Sequence, residues 1–492
     1  MAAQRVRGRI ARRRVLRGQD GSSEVGMAQE QNAYDVLFLG GGTGGYVAAI
    51  RAAQLGMRVG VVEKDLVGGT CVHRGCIPAK ALLKGASVAA TVKGATTYGV
   101  TPGDISLDYS VTMAYARKIV EQNYKGIQYL FRKHKIETIE GFGILTSPTT
   151  IKVQGKDGSS REVSAKNVII DTGSTPRPIE GIDWQPMRVF NSDDATTNPE
   201  LPKRVIVRGG GATGLEFAST YRDFDCEVTL VGRVAPNEDE EVQKDLTRAF
   251  QRRGIRVIPN VRPTADDFEI TNSGVKMRVS PDGKEEIVEA DALLVATGRY
   301  GNHEGLGLED VGVSVVDGYI AVDDYMRTNV PGVYAIGDVT GKQQLAHTAM
   351  HQGVVAVELI AGEKPHPLDY SKIPWVTYCA PEIGSVGLTE KKARDAGYNV
   401  QIGKFPLSAN GKARIEGETV GFAKLVVDGD TDQILGVHLL GGHATELIAE
   451  AGLAMMFEAT AWELTITVHP HPTISEVIHE AALDVFGRPL HI

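Results

Sequence analysis

Apolar residues gather first into a short β-favouring run, Tyr34–Leu39, which stops abruptly at Gly40-Gly41-Gly42-Thr43-Gly44-Gly45. An Ala-rich stretch with helical spacing follows over 46–55, and a second apolar run, Val59–Glu63, ends in an acid. Strand, glycine turn, helix and strand are the elements this pattern predicts. The same unit returns at Arg204–Arg208, Gly209-Gly210-Gly211-Ala212-Thr213-Gly214, a helix to 224 and the strand Glu227–Val231. A single repeat at this wide separation predicts two domains rather than a solenoid. Beyond 373 the texture changes. The segments 400–405, 420–427 and Ile434–Leu440 alternate as an antiparallel sheet does, with helices expected over 444–459 and 475–484. The apolar stretch 447–464, interrupted by Glu450, Glu458 and Glu463, reads as one packed helix.

The two glycine turns carry chemistry because of where they sit. The first glycine (Gly40, Gly209) permits the tight turn and the second (Gly42, Gly211) lets backbone approach a pyrophosphate. The third (Gly45, Gly214) lets helix and strand pack closely, and the pyrophosphate sits on free N–H groups at the positive helix end. Glu63 is placed to accept hydrogen bonds from a ribose 2′-OH. In the second copy that position is Gly232, followed by Arg233. A glycine there tolerates a 2′-phosphate and an arginine can pair with one, so NADP(H) is admitted beside NAD(H); Arg233 pointing into solvent is the plain alternative.

Length, 492 residues, suggests roughly three domains. No apolar run is long enough to predict a membrane span. The formal charge of −8 is uneven: residues 1–26 hold seven arginines against Asp20 and Glu24, so the remainder is more acidic than the whole. An acidic body does not suit nucleic acid. The basic start lacks the apolar core of a secretory signal and reads as a disordered extension, with organelle import left open and a cytoplasmic location expected. Four cysteines exclude a secreted disulfide framework.

Two of those cysteines, Cys71 and Cys76, lie in Gly68-Gly69-Thr70-Cys71-Val72-His73-Arg74-Gly75-Cys76-Ile77-Pro78-Ala79-Lys80. A helix is expected from Cys76 to Ala90, with Pro78 in its first turn. Its positive end favours a Cys76 thiolate, which could donate charge to an oxidised flavin, while Cys71 exchanges with an outside dithiol. A structural disulfide or idle thiols are the alternatives, and zinc lacks a second ligand pair. Further on, a strand delivers Asp338 after Gly337, suited to a flavin's polyol chain. Near the end, His471 precedes Glu476 by five residues, a spacing at which a carboxylate could fix the imidazole tautomer for abstracting a thiol proton.

From Tyr34 to Ile492 these motifs resemble the pyridine nucleotide–disulfide oxidoreductases, within them the dihydrolipoyl dehydrogenase branch. The most specific pieces are GGTCVHRGCIPAKALL, ATGR at 296–299, IGD at 336–338 and HPTISE at 471–476. The resemblance implies two Rossmann-like dinucleotide-binding domains, for FAD and NAD(P), plus a C-terminal α+β dimerisation domain in an α/β chain. Expected boundaries are 1–33 for the extension, 34–185 and 301–372 for the FAD part, 186–300 for the NAD(P) domain and 373–492 for dimerisation.

It also implies that Cys71 is the interchange thiol, Cys76 the charge-transfer thiol, His471 the acid–base group and Glu476 its orienting carboxylate. The His–Glu pair would come from the other subunit of a homodimer. Lys80 and Glu216 would form an ion pair near the flavin, and Gly143, Gln344, Leu345, Ala346 and His347 would contact FAD. Gly298, in ATGR, belongs to the nucleotide-binding set. Asp171 replaces the alanine expected in the first A-T-G, placing a charge near the flavin domain. The activity implied is oxidation of dihydrolipoamide on a lipoyl-bearing protein of a 2-oxoacid dehydrogenase or glycine-cleavage complex, with reduction of NAD⁺. An NADPH-dependent reductase of a small disulfide and an idle FAD-binding scaffold are the alternatives.

Overall fold

The computed structural model describes residues 34–185 and 187–492, so the basic extension over 1–33 lies outside the described residues. Tyr34–Leu39 pairs in parallel with Val59–Glu63 on one side and Ser160–Ile170 on the other. Glu137–Glu140 and Val333–Ala335 extend that sheet in parallel. Phe142–Ser147 and Thr150–Gln154 continue from Ser160–Ile170 as an antiparallel flap. Val333–Ala335 joins the sheet from far along the chain, after the intervening second nucleotide unit.

That second unit is a parallel sheet ordered Arg256–Ile258, Glu227–Val231, Arg204–Arg208, Ala292–Val295, Val189–Phe190. The strands Tyr34–Leu39, Val59–Glu63, Arg204–Arg208 and Glu227–Val231 are buried along most of their length, as parallel strands covered on two faces must be. The helices after the glycine turns start earlier than the apolar pattern suggested, at Thr43 and Ala212, so the last glycines of each turn lie inside the first helical turn.

The C-terminal module is a five-stranded antiparallel sheet, with Ile434–Leu440 and Phe422–Asp428 at its centre. Both central strands are buried at every position rather than on alternate ones. One face packs on the helices Ala444–Met456 and Glu476–Val485. Through Phe422 and Leu440 the sheet joins the core of the second nucleotide unit.

The single helix expected over 447–464 is two. Ala444–Met456 ends before Glu458, which adopts a left-handed backbone (φ 54°), and Ala461–Ile466 restarts behind Thr460. Thr460 and Glu463 cap one another there, and a cap of this kind starts a helix whatever the hydrophobicity on either side. Phe457 is left 77% exposed at the break.

A buried charge cluster fastens the module to the second nucleotide unit. Lys424 Nζ, 1% exposed, lies 3.0 Å from Asp239, 2.9 Å from Glu241 and 2.7 Å from Glu390. Asp239, itself 2% exposed, also caps the helix Glu240–Arg252. Removing one partner of a buried pair strands the other's charge, so Lys424→Met is expected to cost about 3–5 kcal/mol in urea unfolding. An unchanged midpoint would show that the cluster contributes nothing.

Candidate active site

The helix Cys76–Gly94 begins at the second cysteine, and the short helix Gly69–His73 carries the first. Gly75, whose added Cβ would meet Thr70 O at 3.0 Å, lets the chain fold back between them. The Cys71 and Cys76 side chains are hydrogen-bonded to one another, both as free thiols. That bond, with Lys80 nearby and against the effect of burial, pulls Cys76 down to about 7. Cys71 is pushed up, first by the same bond, in which it keeps the proton, then by burial and the charge on its neighbour. The pair therefore sheds its first proton at Cys76, the sulfur at the positive helix end.

One turn along, Lys80 Nζ donates to both oxygens of Glu216, at 2.9 and 2.7 Å. Glu216 belongs to Ala212–Asp223, the helix behind the second glycine turn, so the ion pair ties the two nucleotide units together beside the cysteines. Burial opposes charge on Lys80, and Glu216 more than offsets it, leaving the ammonium raised. Sequence reasoning missed Tyr378, whose N–H donates to Glu216 and whose ring lies 4.7 Å below Lys80 Nζ. It stands in the C-terminal third within no motif, so no local signal pointed to it.

A cleft of about 990 Å³ runs from the first glycine turn to the cysteines, lined among others by Gly40, Glu63, Cys76, Lys80, Asp338 and Gln344. Gly42, Gly143, Ala346, Glu216 and Cys71 also line it. Gly40 has φ 104°, and a Cβ there would stand 2.2 Å from Asp171 O. Gly41 N–H donates to Glu63 at 2.8 Å, and burial raises the Glu63 carboxyl above the ordinary range. Asp338 accepts from Ser174 Oγ, which in turn accepts from Arg299 Nε, two partners that sequence reasoning did not find. Gln352 Oε1 accepts from Gly337 N–H at 2.7 Å and so holds the turn that presents Asp338.

Leu345 caps the helix Ala346–Ile360 and His347 bonds Pro374 O, both outside the cleft lining. At the second turn Gly209 has φ 119°, and a Cβ on Gly214 would lie 1.8 Å from Gly209 O. Among the described residues nothing lies within 4 Å of a Cβ on Gly211 or on Gly298, which has φ 113°. Arg233 is exposed and donates to Pro236 O at 2.6 Å, beside a Gly232 that carries no acid.

His471 Nδ1 and Glu476 Oε1 are 2.9 Å apart, and the other Glu476 oxygen accepts from Thr473 N–H. The His471 side chain is 80% exposed and does not line the cleft of its own chain. The structure thus brings together Cys71, Cys76, Lys80 and Glu216, and holds His471 and Glu476 as a separate pair.

Residues 34–353 match the family model described as pyridine nucleotide-disulphide oxidoreductase, and 373–482 match that family's dimerisation domain. The chain belongs to the pyridine nucleotide–disulphide oxidoreductases. A dihydrolipoyl dehydrogenase of Bacillus subtilis is 44% identical, over 93% of this chain and 99% of its own length. One from Zymomonas mobilis is 42% identical over the same shares. Among solved structures, LpdA of Mycobacterium tuberculosis superposes with a TM-score of 0.84 at 28% identity, covering 92% of this chain and 99% of that one. The flavoprotein disulfide reductase RclA of Escherichia coli gives 0.82 at 25% identity, covering 92% and 99%.

As a pyridine nucleotide–disulphide oxidoreductase the chain is an FAD-dependent dithiol/disulfide oxidoreductase whose cofactors are FAD and NAD(H). The cleft suits FAD: the glycine cradle leaves no room for side chains, and the buried Gln344 Nε2 has no partner among the described residues. No helix among the described residues is long and apolar enough to cross a membrane.

Proposed function

We propose that the protein is a dihydrolipoyl dehydrogenase, with Cys71 and Cys76 as its redox pair. The observation that carries this reading is the polarised pair at a helix N-terminus, opening into the cleft beside the Lys80–Glu216 ion pair. The names of its 44% and 42% identical relatives point the same way. In the oxidised enzyme the two sulfurs form a disulfide. A dihydrolipoyl thiol gives its proton to His471 of the partner subunit and attacks Cys71, breaking the S–S bond and releasing Cys76 as thiolate. The second substrate thiol, deprotonated, attacks the substrate sulfur held on Cys71, closes the lipoyl disulfide and frees Cys71. Bound FAD supplies the two-electron relay from the thiol pair to the nicotinamide, so a dithiol and NAD⁺ give a disulfide, NADH and a proton.

The residues proposed to hold FAD are Gly40, Gly42, Gly45, Glu63, Gly143, Asp338 and the 344–347 segment; Gly209, Gly211, Gly214, Arg233 and Gly298 would face the nicotinamide dinucleotide. Glu476 orients His471 by accepting its Nδ1–H. A homodimer is supported by the dimerisation match and by large apolar side chains left exposed on that module, among them Phe457, Ile466, Val468 and Leu490. The partner we propose beyond the dimer is a lipoyl-bearing protein of a 2-oxoacid dehydrogenase or glycine-cleavage complex in the cytoplasm.

A steady-state assay of the FAD-loaded protein with dihydrolipoamide, comparing NAD⁺ with NADP⁺, tests the reading. Robust NAD⁺ reduction is expected. Failure with dihydrolipoamide alongside NADPH-driven reduction of another disulfide would replace it with the reductase reading, which the acid-free Gly232 and the exposed Arg233 favour.

A further inference from the structure

Asp171 follows the last residue of the central strand Ser160–Ile170 and is 5% exposed. Its carboxylate lies under the first glycine turn. Oδ2 accepts from Gly45 N–H at 2.6 Å, and the Gly42 N–H donates to the same carboxyl. A Cβ on Gly42 or Gly45 would stand 2.9 or 2.7 Å from that oxygen, and one on Gly337 2.8 Å from Oδ1. An acid of this chain therefore occupies N–H donors at the start of the helix Thr43–Gln54, the donors from which a pyrophosphate site is built.

No cation pairs with Asp171 among the described residues. The charged groups that face it are both acids, Glu63 from the strand Val59–Glu63 and Asp338 from the turn after Val333–Ala335. The cations in this corner are engaged one step further out. Lys64 acts on Glu63, and Arg299 acts on Asp338 and bonds Ser174. The helix Ala346–Ile360 contributes Ala349 and the neutral amide of Gln352 at Gly337. Burial first, then the two neighbouring acids, raise the Asp171 carboxyl well above the ordinary range despite the backbone donors.

We propose that Asp171 makes FAD binding proton-linked: the pyrophosphate enters this cradle together with one proton, taken up by the Asp171 carboxyl. The inference rests on the assignment of this cleft to FAD. Two further negative charges beside an ionised, buried and unpaired carboxylate would repel it. A neutral carboxyl instead keeps one oxygen as acceptor for the glycine N–H groups and gains an O–H donor for a phosphate oxygen. The sign is that of an acid stabilised in its neutral form. At low pH the carboxyl is already protonated in the empty site and affinity is flat. As pH rises past its titration in the empty site, binding must bring a proton and Kd rises, by up to about tenfold per pH unit for a single proton.

The test is calorimetric titration of the flavin-stripped full chain with FAD across pH, in buffers of low and high ionisation enthalpy. The wild type is expected to take up close to one proton over part of the range. Asp171→Asn and Asp171→Ala should take up none there and bind FAD more tightly at the alkaline end. A second measurement needs no variant: with carbon-13-labelled aspartate, the FAD-minus-empty infrared difference spectrum should gain a label-sensitive band of a protonated carboxyl. Wild-type binding without proton uptake, or uptake that persists in both variants, would overturn the proposal while leaving FAD in the cleft. No FAD binding at any pH would remove the FAD assignment itself, and this inference with it.

Discussion

Cys76→Ser is expected to lower turnover of dihydrolipoamide on the order of 10⁴-fold or more, because the two sulfurs act as one redox unit and neither closes a disulfide alone. The same variant should bind FAD normally and still pass electrons from NADH to an artificial dye, a path that needs no cysteine. Its signature is spectroscopic. On partial reduction the wild type should show long-wavelength absorbance from a thiolate beside oxidised flavin, and the Ser variant none; a persisting band would mean that Cys71 is the sulfur facing the ring. The wild-type band should also depend on pH. Bonding from Cys71, with help from Lys80, lowers Cys76 to about 7, below its ordinary thiol value. The thiolate is then present above that value and lost as pH falls through it, so the band should fade on acidification through about pH 7.

His471→Ala is expected to reduce kcat/KM for the dithiol about 10²–10⁴-fold, the usual contribution of a positioned general base. Electron transfer from NADH to dye should stay close to wild type, since that half of the reaction moves no thiol proton. Equal losses in both assays would make the residue structural. Because His471 is exposed on its own chain and does not line the cleft, a mixed dimer gives a sharper result. Pairing one Cys71→Ser chain with one His471→Ala chain leaves a single complete site if the histidine acts across the interface, and none if it acts within its own subunit.

The parts of this protein that were legible in the sequence are those whose cause is local. A glycine turn between a β-branched run and an Ala-rich stretch announces itself, because tight turns, close approach of backbone and helix starts all depend on a few neighbouring residues. The Cys71–Cys76 spacing was readable on the same grounds, and so was the turn that sets Glu476 on His471. The break near Glu458 was also encoded locally, in the Thr460–Glu463 cap, but the continuous apolar pattern over 447–464 masked it.

Other features depend on chain segments that only the fold brings together. Strand alternation could not show that Phe422–Asp428 and Ile434–Leu440 are covered on both faces, because the second cover comes partly from another unit of the chain, at Phe422 and Leu440, and partly from Ala393 and its neighbours, at Val426 and Leu435. Tyr378 reaches Glu216 across 162 positions, and Asp171 reaches Gly45 across 126. Resemblance to the family marked Asp171 as a departure, and tertiary structure placed its carboxylate on the cradle's own donors. Residue types and short spacings were enough for the two glycine-turn units and the Cys71–Cys76 pair, and resemblance to the family added the chemistry they imply. Tertiary structure decided which charges meet, which strands lose water on both sides and which acid lies beneath the glycine turn, because burial and pairing arise only when distant segments pack.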